Sequence, residues 1–250
     1  MTEASPAELR TRLGRNLTYG LLDTLGRSIV IGDYDTRAFP TEAELARQHG
    51  VSRSVTREAV KMLTTKGLLS ARPRQGTIVQ PSSSWNLFDP DVLRWLLERT
   101  FSVRLLRHFS QLRVAIEPEA AALAAANADE DDLQAIKLGL ARMIAAEDGM
   151  DNTLDADIAF HVAILLASKN PFYAQFRDVV TTALRSSIQF TNRVAGETAS
   201  VIDHAAVSDA IMRRHPEGAY AAMRKIVQDV LLLIDGVDRA GKPGPPREVK

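Results

Sequence analysis

The chain has 250 residues, 45% of them hydrophobic and 25% charged, and its 31 basic and 31 acidic side chains give a formal net charge of zero. That length allows two domains of ordinary globular composition. It contains no cysteine, which excludes a disulfide framework and thiolate chemistry, and no run of about 18 apolar residues, which excludes a membrane-spanning helix.

The first residues, MTEASPAELRTRLGRN, lack the apolar core of a secretory signal, so a cytoplasmic location is expected. Apolar positions Leu13, Leu17, Leu21, Leu22, Leu25 and Ile29 recur at helical spacing and predict a helix over 10–32. GDYDTRAFP (32–40) reads as a loop, because Pro40 disfavours helix at the residue before it.

Residues 40–80 predict two short helices joined by a tight turn and followed by a β-hairpin. Thr41 and Glu44 have the spacing of a capping box. Gly50 suits a left-handed turn, Val51 can plug the angle between the helices, and Ser52 can cap the second helix. That helix opens with Arg53, Ser54 and Arg57, where a recognition helix meets base edges. LLSARPRQGTIVQ then gives two apolar runs around a basic turn, Arg72, Arg74, Gln75 and Gly76, with the pattern of a wing. The segment 10–80 is therefore a winged helix-turn-helix DNA-binding domain, with Thr41, Ser52, Arg53, Ser54, Arg57, Arg72, Arg74, Gln75 and Gly76 as its DNA-facing residues.

Charge placement agrees. Residues 51–80 carry six basic side chains (Arg53, Arg57, Lys61, Lys66, Arg72, Arg74) against the single acid Glu58, whereas residues 81–250 hold 19 basic and 23 acidic ones. A charge run alone is most simply a solvated helix face. Its coincidence with turn, caps and hairpin favours a phosphate footprint.

PSSSWNLFDP (81–90) has the composition of a linker, and its Trp85, Leu87 and Phe88 suggest docking on a surface. Helical periodicity then covers 91–99, 103–127, 129–148, 152–168, 171–194, 201–214 and 217–235, with breaks at Asp129, Gly149, Ser168–Pro171, Gly196 and Pro216. Nothing alternates as a strand does, so 91–235 is expected to be an all-helical bundle. The fold class is mostly α. GVDRAGKPGPPREVK (236–250) is expected to be a disordered tail.

Polar residues on inward stripes mark the chemistry. Asp157 and His161, four apart, fall on or beside the stripe of Leu154, Ile158 and Leu165, and His204 shares a face with Val207 and Ile211. The set suits a divalent metal such as zinc, manganese or nickel; equally, His161 is a core histidine held by Asp157, with His204 unrelated. Arg113, close to Glu117, is either an ion-pair partner or a clamp for an effector carboxylate. His49 and His215 are expected to be exposed, and His108 receives no role. No P-loop, Rossmann fingerprint, zinc-protease motif or nucleophile elbow is present.

Pro40-Thr41-Glu42, Leu45-Ala46, Gly50-Val51-Ser52-Arg53, Arg57-Glu58-Ala59 and Gly76-Thr77 resemble the winged-helix pattern of the GntR family of bacterial transcription regulators. Ala43 stands where many members have an arginine, so one DNA contact of the family is missing. Leu112-Arg113, Ile116-Glu117, Ala120-Ala121, Asp157, Phe160-His161, Asn170, His204 and Ala210-Ile211 resemble the FCD ligand domain of the FadR-like branch. The resemblance implies a metal held by one aspartate and three histidines. Asp157, His161 and His204 match the first three, and Ile226 stands where the fourth is expected. Trp85–Trp95 resembles the linker of sugar-acid-responsive members such as galactonate repressors, which points to an aldonate-like effector held by Arg113.

The resulting expectation is a homodimeric, ligand-responsive transcription factor, a repressor of a carbohydrate-acid operon, binding operator DNA and a small carboxylate. Two alternatives are a metal-dependent enzyme built on Asp157, His161 and His204, and a constitutive architectural DNA binder with a vestigial pocket.

Overall fold

The computed structural model describes residues 6–72, 76–99, 103–194 and 200–240, with side chains described over 16–71, 76–98, 103–185 and 200–236. The chain forms two compact units, Met1–Thr100 and Phe101–Lys250.

The first unit contains α1 (Pro6–Ile31), α2 (Glu42–His49), α3 (Arg53–Thr65), β1 (Leu69–Arg72), β2 (Gly76–Val79) and α4 (Pro90–Arg99). Thr41 and Glu44 form the capping box, each side chain accepting from the other's backbone N–H. Gly50 ends α2 at φ 63°, and Ser52 caps α3 by accepting from Val55 N–H. Thr56, Ala59, Val60 and Leu63 face inward on α3, where the apolar ones join Leu21, Leu22, Leu25 and Ile29 of α1. Each such valine, leucine or isoleucine contributes about 1.5–3 kcal/mol of burial. Leu17, expected in this stripe, is exposed, and the Leu13 side chain lies outside the described residues. The hairpin is antiparallel, pairing Leu69 with Val79 and Arg72 with Gly76.

The domain boundary differs from the sequence expectation of a linker at 81–90. That segment folds onto the winged helix. Trp85 Nε1 donates to the Gln80 carbonyl at 3.0 Å and Asn86 N–H to the Lys66 carbonyl at 3.0 Å, while Leu87 and Phe88 remain exposed. α4, expected to open the helical bundle, instead adds Val92 and Trp95 to the first core. The Trp95 ring lies against Gly26, where any side chain would collide with it, and its Nε1 donates to Asp23 at 2.8 Å. Linker-like composition does not reveal such partners.

The second unit holds α5 (Val103–Asn127), α6 (Glu130–Glu147), α7 (Thr153–Ala167), α8 (Pro171–Gln175), α9 (Arg177–Val194), α10 (Val201–Met212) and α11 (Pro216–Ala240). α5 packs against α11 and α7, and α6 against α7 and α10. The helix expected over 171–194 is divided at Phe176. α11 continues past Asp235 through Ala240, correcting the start of the expected tail, since no proline interrupts the chain before Pro243. Residues 241–250, and the break expected at Gly196, lie outside the described residues. Among the described residues, no helix is long and apolar enough to cross a membrane.

Candidate DNA-binding face and buried polar cluster

Arg53, Ser54 and Arg57 occupy the exposed opening turns of α3. Ser52 Oγ and Ser54 Oγ share a hydrogen bond at 2.9 Å. Arg57 Nε donates to Glu42 Oε2 at 3.3 Å, which ties α3 to the start of α2. Gly76 has φ 80° at the start of β2; the Arg72 side chain, Arg74 and Gln75 lie outside the described residues. One member of the basic patch is not on this face. Lys66 turns inward and donates to Asp89 at 2.7 and 2.8 Å and to Asp91 at 2.9 Å. Burial lowers its pKa, but the two carboxylates raise it by more, so it stays a cation committed to them.

In the helical unit, three elements bring the expected polar residues together. α5 supplies Arg113 and Glu117, α7 supplies Asp157 and His161, and α10 supplies His204, all of them buried. Arg113 Nε and Nη2 donate to the two Glu117 oxygens at 2.5 and 3.2 Å. His161 Nδ1 stands 2.7 Å from Glu117 Oε2. His204 Nδ1 lies 2.7 Å from the Ser200 carbonyl; donating there leaves Nε2 with its lone pair.

Asp157 Oδ1 lies 3.3 Å from His161 Nε2 and 3.1 Å from His204 Nε2. Neither approach has the alignment of a hydrogen bond, and Asp157 Oδ1, His204 Nε2 and His161 Nδ1 (beside Glu117) are buried without an aligned hydrogen-bond partner. An unpaired buried carboxylate oxygen is costly. The separations match the roughly 3.0–3.5 Å between neighbouring ligand atoms around an ion with bonds of 2.0–2.2 Å. Asp157, His161 and His204 each offer an atom within 4.8 Å of the others. Ile226, at the position the resemblance gives to a fourth histidine, is a buried aliphatic on α11 and cannot ligate.

The fields in this cluster are strong. Burial would raise Glu117, but Arg113 and His161 overcome it and hold the carboxyl at about 2. Asp157 is likewise held far below the ordinary carboxylate range against its burial by both histidines. Burial would lower His161, yet Glu117 and Asp157 raise it to about 9.

Residues 23–79 match the model of bacterial regulatory proteins of the gntR family, and residues 108–229 match the FCD domain. The HTH-type transcriptional regulator YieP of Escherichia coli (strain K12) is 33% identical over 218 residues, spanning 86% of this chain and 94% of that protein. The chain belongs to the GntR family. The galactonate operon transcriptional repressor of the same organism is 34% identical over 206 residues, covering 81% and 89% of the two chains. The structure of E. coli McbR/YncC shares the fold, with a TM-score of 0.51 and 20% identity over 89% of this chain and 98% of that one.

This GntR regulator is thus a ligand-responsive DNA-binding transcription factor with an FCD domain, and the enzyme reading falls because the family and these relatives are regulators. Sequence reasoning placed Asp157, His161 and His204 on inward faces and the structure brings them together. It missed Glu117 as the partner of His161 and the Ser200 carbonyl as the partner of His204. The i, i+4 spacing of Arg113 and Glu117 was the only available signal for the first.

Proposed function

We propose that the chain is a homodimeric repressor of a carbohydrate-acid catabolic operon, with Arg53 and Arg57 of α3 and the wing residues Arg72, Arg74 and Gln75 meeting operator DNA. A monomeric winged helix reads few base pairs, and paired half-sites supply the specificity a genome demands. The sugar-acid assignment is supported by the likeness to the galactonate operon repressor.

The helical unit holds a divalent cation on Asp157, His161 and His204. One observation carries this reading: a buried Asp157 oxygen flanked by two imidazole nitrogens without a hydrogen bond to either. Zinc, manganese and nickel all suit this donor set, and the ion would act as a Lewis acid toward an effector carboxylate. Glu117 takes the Nε–H and one Nη2–H of Arg113, so Arg113 meets an effector through Nη1 and the second Nη2–H while steering His161 through Glu117.

The test is operator affinity, on DNA selected from a random library, measured with and without D-galactonate and other aldonates, in zinc-loaded and chelator-treated protein. The reading expects at least one aldonate to weaken operator binding and to need the metal. Indifference to the whole panel in both states would defeat the effector assignment.

A further inference from the structure

Gly139 lies in the middle of α6 and is buried, although glycine is poorly suited to a helix interior. A β-carbon at this position would stand 2.9 Å from Phe160 Cα, 3.2 Å from its backbone nitrogen and 3.3 Å from its Cβ. Unstrained carbon contacts are about 3.5–4.0 Å. The obstruction is the α7 main chain, which cannot swing aside like a side-chain tip. α6 and α7 therefore meet backbone to backbone at the residue before His161.

That meeting point touches the polar cluster from two directions. The Phe160 ring is fully buried and lies edge-on to His161 and His204, with centroids 6.1 and 5.3 Å apart. α6 also packs against α10, which carries His204. It is the common brace for the two helices that supply Asp157, His161 and His204.

We infer that Gly139 is a positioning residue for Asp157, His161 and His204: its missing side chain sets the depth at which α7 seats against α6, and so the spacing between the α7 ligands and His204. This inference rests on the metal reading given above. A methyl group at 139 must push the helices apart by about 0.5 Å or more to reach ordinary contact, whereas metal–ligand distances hold to about 0.2 Å. Asp157 and His161 ride together on α7 and keep their mutual spacing. The 3.1 Å approach between Asp157 and His204, which bridges two helices, is the one that opens.

The experiment compares the full chain with Gly139→Ala, with Ile136→Ala (a buried α6 residue one turn away) and with the double variant. Zinc affinity is measured by competition with a chromogenic chelator, and the imidazole 15N signals of His161 and His204 are recorded without metal. Gly139→Ala should lose zinc affinity by on the order of tenfold or more and shift the imidazole signals. Ile136→Ala, which only loosens packing, should stay within about threefold of the parent. In the Ile136→Ala background, where α6 has room to shift, the added methyl should cost less, and this background carries the comparison if Gly139→Ala alone does not fold. Failure of the parent to bind zinc would sink the metal reading, and the imidazole signals would then decide this inference. Unchanged imidazole signals in Gly139→Ala, or a zinc affinity equal to the parent's, would overturn it.

Discussion

The ammonium of Lys66 donates to both carboxylate oxygens of Asp89, at 2.8 and 2.7 Å, directly behind the end of α3. The Lys66 side chain is only 12% exposed. This contact, with Asn86 bonded to the Lys66 carbonyl, makes the segment after the wing part of the DNA-binding unit.

Lys66→Met should therefore destabilise that unit by about 2 kcal/mol, because it leaves the partly buried Asp89 without its cation and Asp91 with Arg94 alone. Both tryptophans of the chain, Trp85 and Trp95, lie in the first unit. Tryptophan fluorescence during urea unfolding reports on that unit selectively. An unchanged midpoint would show that the contact contributes nothing.

Asp23 predicts the acid behaviour of the same unit. Burial raises its pKa, but hydrogen bonds from Trp95, Arg27 and Arg94 outweigh this and hold it at about 2. Its unfolded value is about 3.9, so the group contributes stability that is complete above pH ~4 and is lost as pH falls through ~2. The side chain is 37% exposed, and with solvent screening the contribution is about 1 kcal/mol. Asp23→Asn should lower the urea midpoint at pH 7 and flatten its fall between pH 4 and 2. A variant that loses stability in parallel with the parent over that range would refute the assignment.

Arg53→Ala should weaken operator binding at least several-fold, as expected for losing an arginine contact worth about 1–3 kcal/mol. Far-UV circular dichroism and zinc retention should stay as in the parent. Equal affinity at matched salt would place the recognition surface elsewhere.

Ile226→His supplies an imidazole where the family resemblance expects a fourth ligand. It should slow the loss of zinc to chelator, while His204→Ala should speed it. Metal content after timed dialysis against chelator reads both. Faster loss from Ile226→His would mean that α11 does not face the site.

The caps and turn of the DNA-binding unit were legible in the sequence because they are local. Thr41, Glu44, Gly50 and Ser52 act within a few residues of themselves, and the structure finds each in that role. Asp157 and His161 were legible for the same reason, being one turn apart. Lys66 was counted in the basic patch of residues 51–80, because its acidic partners lie 23 and 25 residues away. The domain boundary was misplaced because Trp95 is buried by Gly26 and Asp23, some 70 residues earlier in the chain. Pro118, by contrast, did not stop the helix drawn through it, and α5 runs on to Asn127.

The Arg113–Glu117–His161–Asp157 chain has an electroneutrality consequence. Arg113 against Glu117 and Asp157 leaves a formal deficit of one positive charge, which a proton on His161 cancels in the metal-free protein. A divalent ion that displaced that proton would turn the balance to an excess of one positive charge among buried groups, where charge is poorly screened. A monoanion restores neutrality and a dianion overshoots it. If the site takes a divalent metal and an effector carboxylate, as proposed above, charge alone would make it prefer a monocarboxylate to a dicarboxylate of the same size, and only once the metal is bound.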